Sequence, residues 1–199
     1  MSRVGGVTGG PEPIGGGATD DPDRLREEIA RLQEEIGFLR LQLDAFTTVD
    51  PETGALNRTG LIDAVESALQ RIDRLGEPFA LSGVQLARIP EEASGAEDHR
   101  AVVRHVAAGI QASVRALDRL ARLDERTLVV LSPGVRCEDR AVQLARIRSV
   151  LSAGSPEVEA RMAVLVVSTV PEGGAEELLG ELLEALASAE RDRPETRCR

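Results

Sequence analysis

The sequence predicts an α/β fold, a mixed central sheet flanked by helices, preceded by a long coiled-coil helix. Three observations carry this. Apolar residues recur at alternating spacings of four and three over residues 25–46. Helical and extended patterns then interleave along the rest of the chain. Two short apolar runs, "RLARL" and "LVVLS", face each other across a charged tip within residues 119–132. Helices interleaved with strands give a sheet covered by helices, and a hairpin among them argues against a purely parallel sheet.

Residues 1–20 are Gly- and Pro-rich with no apolar core, so they predict a disordered tail rather than a secretory leader. A helix start follows, with Asp21 as N-cap, Pro22 at the first helical position and Asp23 complementing the helix dipole. Leu25, Ile29, Leu32, Ile36, Leu39, Leu43 and Phe46 then form a heptad seam, with Ile at a and Leu at most d positions. That pattern favours a parallel two-stranded coiled coil. The flanks agree: Glu35 at g faces Arg40 at e of a partner helix, and Asp21 faces Arg26 in the same way. Residues 21–47 are therefore expected to be a homodimer interface; the alternative is an amphipathic helix lying on its own domain.

The turn "TTVDPETGALNRTG" ends the coil. "TGLIDAVESALQRIDRLG" is an amphipathic helix closed by Gly76, and "FALSGVQL" is a strand. "EDHRAVVRHVAAGIQASVRAL" is a second helix leading into the hairpin. "CEDRAVQLARIRSVLS" is a third helix, "ARMAVLVVSTV" a strand and "GAEELLGELLEALASAERD" a fourth helix. Residues 192–199 are expected to be a flexible tail.

Composition narrows the function. Hydrophobic residues make up 42% and aromatics 2%, so the core is aliphatic. All 24 basic residues are Arg, which weakens any single Arg as a functional clue. A net charge of −10 disfavours nucleic-acid binding. Cys137 and Cys198 have no CxxC or Cys/His spacing, which argues for a reducing compartment and against a structural zinc. His99 and His105, six apart, do not share a helix face and are read as surface or structural. No run approaches the ~20 apolar residues of a membrane span. The expectation is a soluble, cytoplasmic protein without a cofactor.

Several local patterns then fall in one order and together resemble the GGDEF domain, the diguanylate cyclase family. "DPETGALNR" (50–58) resembles that family's "DxLTGLxNR", keeping Asp50, Thr53, Gly54, Asn57 and Arg58. "FALSGVQLARI" sits where the family has a strand ending "LDLDxFK". "VAAGIQASVRALDRLARL" is similar, without a gap, to "VAxxLxxxLRxxDxVARL", and "LARIRSVL" and the closing "ELLxxxxxAL" helix also fit. The resemblance covers residues 50–191, implies a GGDEF-like, nucleotidyl-cyclase or palm-like sheet over residues 48–191, and suits a preceding coiled coil.

In that family the hairpin tip is Gly-Gly-Asp/Glu-Glu-Phe. Two glycines let the backbone approach a nucleotide, and the acids hold the divalent cations that neutralise GTP. In the ungapped register the glycines are replaced by Asp124 and Glu125, the metal acid by Arg126, the next acid by Thr127 and the Phe by Leu128. The strand's metal Asp corresponds to Gln85 and the Lys to Pro90; the following Asn-Asp has no counterpart in "EEASGAED". Sliding the register to make Asp124 and Glu125 metal ligands would break the match of "RLARL". The resemblance thus implies that the chain is no enzyme: Arg repels Mg²⁺ and cannot coordinate it.

The family's product-binding "RxxD" lies five residues before the hairpin glycines. Arg115 and Asp118 meet that spacing, with Arg chemistry suited to phosphate or a guanine edge. The same Asp could simply satisfy backbone donors at a helix-to-strand join. Arg119, Arg122, Arg146 and Arg148 are candidates for an additional cation. The expected function is a catalytically inactive, dimeric signalling module, a cyclic di-GMP receptor through Arg115 and Asp118 or a binder of an unidentified protein partner. The alternatives are a divergent nucleotidyl cyclase and a structural assembly protein without ligand.

Overall fold

The structure, a computed structural model, describes residues 22–88, 96–154, 158–190 and 193–199. The 1–20 tail, the Asp21 cap and Pro90 lie outside the described residues. The chain divides into two compact units, residues 1–41 and 42–199.

The predicted helix is α1 (Pro22–Phe46), which begins in the first unit and ends within the second. Leu25, Ile29, Leu32 and Ile36 are between 43% and 54% exposed, so the single chain leaves this part of the seam uncovered. The side chains of Leu39, Arg40, Leu43 and Phe46 lie outside the description. Arg26 donates to Asp23 at 2.6 Å and Arg31 to Glu28 at 2.7 Å, both within the helix.

After α1 the second unit continues with α2 (Arg58–Leu75), whose ends follow from two residues. Asn57 caps the start: its Oδ1 accepts from the Gly60 N–H at 2.9 Å, and its side-chain amide donates to the Thr47 carbonyl at 2.7 Å. Gly76, at φ 64°, ends the helix in the left-handed conformation that glycine adopts without strain. Then come β1 (Phe79–Arg88), α3 (Ala96–Ser113), β2 (Arg119–Arg122) and β3 (Thr127–Pro133). A 3-10 turn (Cys137–Asp139), α4 (Arg140–Gly154), β4 (Glu159–Val167), α5 (Gly174–Ser188) and β5 (Glu195–Cys198) complete the chain.

The sheet order is β2-β3-β1-β4-β5. Pairings are antiparallel except β4 with β5, which is parallel, so the sheet is mixed as the sequence predicts. The period-2 alternation of β1 sorts the core into two layers. Ala80, Val84 and Leu86 face Val103, Val106 and Ile110 of α3 and Leu144, Ile147 and Leu151 of α4. Phe79 and Leu81 face Leu61, Val65 and Leu69 of α2 and Leu178, Leu182 and Leu186 of α5. Each such buried aliphatic side chain contributes about 1.5–3 kcal/mol relative to exposure, which is how a core with almost no aromatic residues holds. Gly83 lets α5 come close: a Cβ there would sit 2.8 Å from Leu186 Cδ1.

Two expectations need correction. Residues 195–198 are not a loose tail but a strand, because the outer edge of β4 offers Ala163 to Val166 for pairing with Glu195 to Cys198. The cysteines are also paired: Cys137 and Cys198 form a disulfide with a Cα–Cα distance of 5.9 Å, inside the usual disulfide range. Smaller differences concern ends. The helix expected from residue 137 begins with the 3-10 turn, and the second predicted helix stops at Ser113 rather than continuing to residue 117.

Candidate functional site

The hairpin tip is built by its own polar groups. The Leu123 N–H donates to the Thr127 carbonyl at 2.9 Å and closes the loop. The Asp124 carboxylate accepts from the backbone N–H groups of Arg126 at 2.7 Å and Thr127 at 2.8 Å. An Asx turn thereby replaces the Asn-Gly or Asp-Gly chemistry of a tighter hairpin. Asp124, Glu125 and Arg126 are exposed, whereas Thr127 and Leu128 are buried.

The register around Gln85 locates the position opposite the tip. Gln85 pairs with Thr127 on β3 and with Arg161 on β4, so the cross-strand row is Thr127–Gln85–Arg161. The Leu86 N–H donates to the Arg126 carbonyl at 2.9 Å, fastening β1 to the tip. That row has no carboxylate and one cation. Arg161 was invisible to sequence reasoning because only the β1–β4 register places it beside Gln85. Among the described residues no cluster of acidic, His or Cys side chains is arranged to hold a metal ion.

The opening turn is locked to the hairpin. Asp50 Oδ1 accepts from the Thr53 N–H at 2.8 Å and the Thr53 hydroxyl at 2.6 Å, and Gly54, at φ 70°, donates to the Asp50 carbonyl. The Leu56 N–H donates to the Leu120 carbonyl and the Arg122 N–H to the Leu56 carbonyl, which couples this turn to β2. Arg122, its side chain only 10% exposed, reaches Asp50 at 3.4 Å and Glu52 at 2.5 Å. Burial alone would lower the Arg122 pKa, but the Glu52 hydrogen bond and the charges of Asp50 and Glu52 outweigh it and the net direction is up. Glu52 also meets Arg100 at 3.3 Å.

The 115–118 turn has a different character. Asp118 is 4% exposed. Its Oδ2 accepts from the Arg115 backbone N–H at 2.8 Å and lies 3.5 Å from Arg146 Nη1 on α4. Arg146 also donates to the Gln143 side-chain oxygen at 2.9 Å. The Arg115 side chain is exposed. Of the additional cations considered, the structure brings Arg146 to Asp118; Arg122 belongs to the opening turn, Arg119 donates to the Ala116 carbonyl at 3.3 Å, and Arg148 is exposed two positions from Arg146. Gln143, buried with its side-chain nitrogen unpartnered, has no signal in the sequence that marks it.

With this geometry in place, the fold can be compared with known proteins. No family model matches the sequence, and no curated protein matches it. Solved structures do. The diguanylate cyclase SiaD of Pseudomonas aeruginosa, solved with its activator SiaC, aligns with a TM-score of 0.64 and 20% identity over 89% of this chain and 71% of its own. The GGDEF domain of FimX, also from Pseudomonas aeruginosa, aligns at 0.62 with 17% identity over 77% of this chain and 99% of its own. The GGDEF domain of DgcB from Caulobacter crescentus, in complex with c-di-GMP, aligns at 0.62 with 18% identity over 76% and 95%. The chain has the GGDEF-domain fold.

Proposed function

We propose that the chain is a catalytically inactive GGDEF-like signalling module that dimerises through α1 and takes cyclic di-GMP at the 115–118 turn. The observation that carries inactivity is the hairpin tip. The Asp124 carboxylate is occupied by the turn's own N–H groups, and the row opposite it is Thr127–Gln85–Arg161. A triphosphate with its cations needs converging carboxylates there. A cyclic dinucleotide instead needs cations and an oriented acceptor. Arg115 offers an exposed guanidinium fork for a phosphate or guanine edge, while Asp118 holds both its own turn and Arg146 in place. The uncovered Ile and Leu of α1 support dimerisation.

Two measurements test this. Titration calorimetry with cyclic di-GMP is expected to give binding in the micromolar range that Arg115→Ala weakens at least ~10-fold. Incubation with GTP and Mg²⁺ or Mn²⁺ is expected to give no product. Turnover overturns inactivity; no binding at tens of micromolar, or equal binding by Arg115→Ala, overturns the receptor role. A second reading, a structural assembly domain without ligand, is favoured by one observation: the nearly complete burial of Asp118, which already satisfies local donors. Dimerisation without cyclic di-GMP binding would select it.

A further inference from the structure

Cys137 and Cys198 are the chain's only cysteines, and the structure joins them. We propose that this pair is a reversible redox clasp that holds β5 on the sheet edge and releases it on reduction.

The first argument is how little else retains β5. The strand has four residues, and its side chains alternate between half-buried and exposed with none fully buried. Beyond the ladder with β4, the Arg199 N–H donates to the Val166 carbonyl at 2.8 Å and the Ser168 N–H to the Arg199 carbonyl at 2.7 Å. Arg199 pairs with Glu177 at 2.6 Å and with Glu181, and Arg197 approaches Glu184 at 3.8 Å. The Arg199 pairs are partly exposed and the Arg197 pair exposed, and ion pairs open to solvent contribute little each. The covalent tie is the strong attachment, and it spans a sequence separation of 61 residues.

The second argument is reactivity. Cys198 is exposed and Cys137 half-buried. Arg140 Nη1 lies 3.6 Å from Cys137 Sγ and donates to the Cys137 carbonyl at 2.6 Å. A guanidinium beside a sulfur stabilises its thiolate, and the sulfur that makes the better thiolate leaves faster. A dithiol reductant therefore attacks the accessible Cys198 Sγ. The S–S bond breaks, its electron pair departs on Cys137 Sγ, and that sulfur then takes a proton. The reductant's second thiol attacks the mixed disulfide, frees Cys198 as a thiol and closes the reductant's own disulfide. Two electrons and two protons pass to the protein, and the dithiol is oxidised.

The test uses the full chain, air-oxidised or treated with dithiothreitol, with thiols counted by alkylation and amide hydrogen exchange followed residue by residue. Oxidised protein is expected to have no free thiol. Reduction is expected to speed exchange at Arg199 and Ser168 by about tenfold or more, leaving β1 and β3 amides unchanged. Cys198→Ser should reproduce the reduced pattern without reductant. Arg140→Ala should slow reduction by dithiothreitol at least ~3-fold. Free thiols under oxidised glutathione, or unchanged exchange at Arg199 and Ser168, would overturn the clasp. Loss of protection throughout β1 and β3 would make the bond a staple of the whole domain instead. An unchanged rate for Arg140→Ala would overturn Cys137 as the departing sulfur.

Discussion

At the scale of single residues, burial separates two positions that a motif treats as a pair. Asp118 is interior and committed to the Arg115 N–H and to Arg146, whereas Arg115 projects into solvent. Asp118→Ala is expected to destabilise the domain by about 1–3 kcal/mol in urea unfolding, because it removes the buried carboxylate that accepts from the Arg115 N–H and pairs with Arg146. Arg115→Ala should stay within about 0.5 kcal/mol. Equal costs would mean that Asp118 is no more structural than Arg115. The hairpin tip was partly legible in the same way. The sequence could place Asp124 in the loop, but not foresee that one carboxylate oxygen serves two backbone donors. A glycine at 124 would remove that acceptor, so the tip resists piecemeal change.

At the scale of elements, the end of α2 was legible because its stop signal is local: Gly76 closes the helix as its residue type predicts, whereas the cap at Asn57 was read only as part of the opening motif. The hairpin was legible because two apolar runs flank a polar tip. Strand β5 was not, since "ETRC" has no apolar alternation and its partner Ala163–Val166 is remote in sequence. The disulfide was hidden for the same reason, as spacing in the chain carries no distance in space. The β5 edge also carries a titratable contact, Glu177 with Arg199. The Gly173 N–H and then Arg199 hold the Glu177 carboxyl below its ordinary pKa, and Glu177 in turn holds Arg199 up. A lowered carboxylate pKa contributes stability above the unfolded value and loses it as pH falls through the folded one. Protection of the Arg199 amide, its exchange rate taken relative to the intrinsic rate at each pH, is therefore expected to fall as pH drops below about 4.3, and Glu177→Gln should flatten that dependence. An identical profile in the variant would remove Glu177 from the contact.

At the scale of the whole molecule, the heptad seam from Leu25 to Leu39 falls in the first compact unit, and Leu43 and Phe46 fall in the second. Ile29→Asp with Ile36→Asp should weaken self-association at least ~100-fold by sedimentation, with two apolar anchors lost and charge placed in the seam. Unfolding of residues 42–199 should be unaffected. A variant that remains dimeric would move the interface elsewhere. The sheet has two margins, and both are guarded while β5 is seated. On one side Leu56 hydrogen-bonds to both Leu120 and Arg122 and caps the outer edge of β2 at Ala121. On the other, β5 presents a short strand bearing Glu195 and Arg197. Without it the margin becomes β4, whose Met162 to Val167 are buried and apolar, and a long bare apolar strand is a template for pairing with other chains. Keeping the clasp closed thus protects the protein from aggregation, a liability that grows with its concentration rather than with its stability.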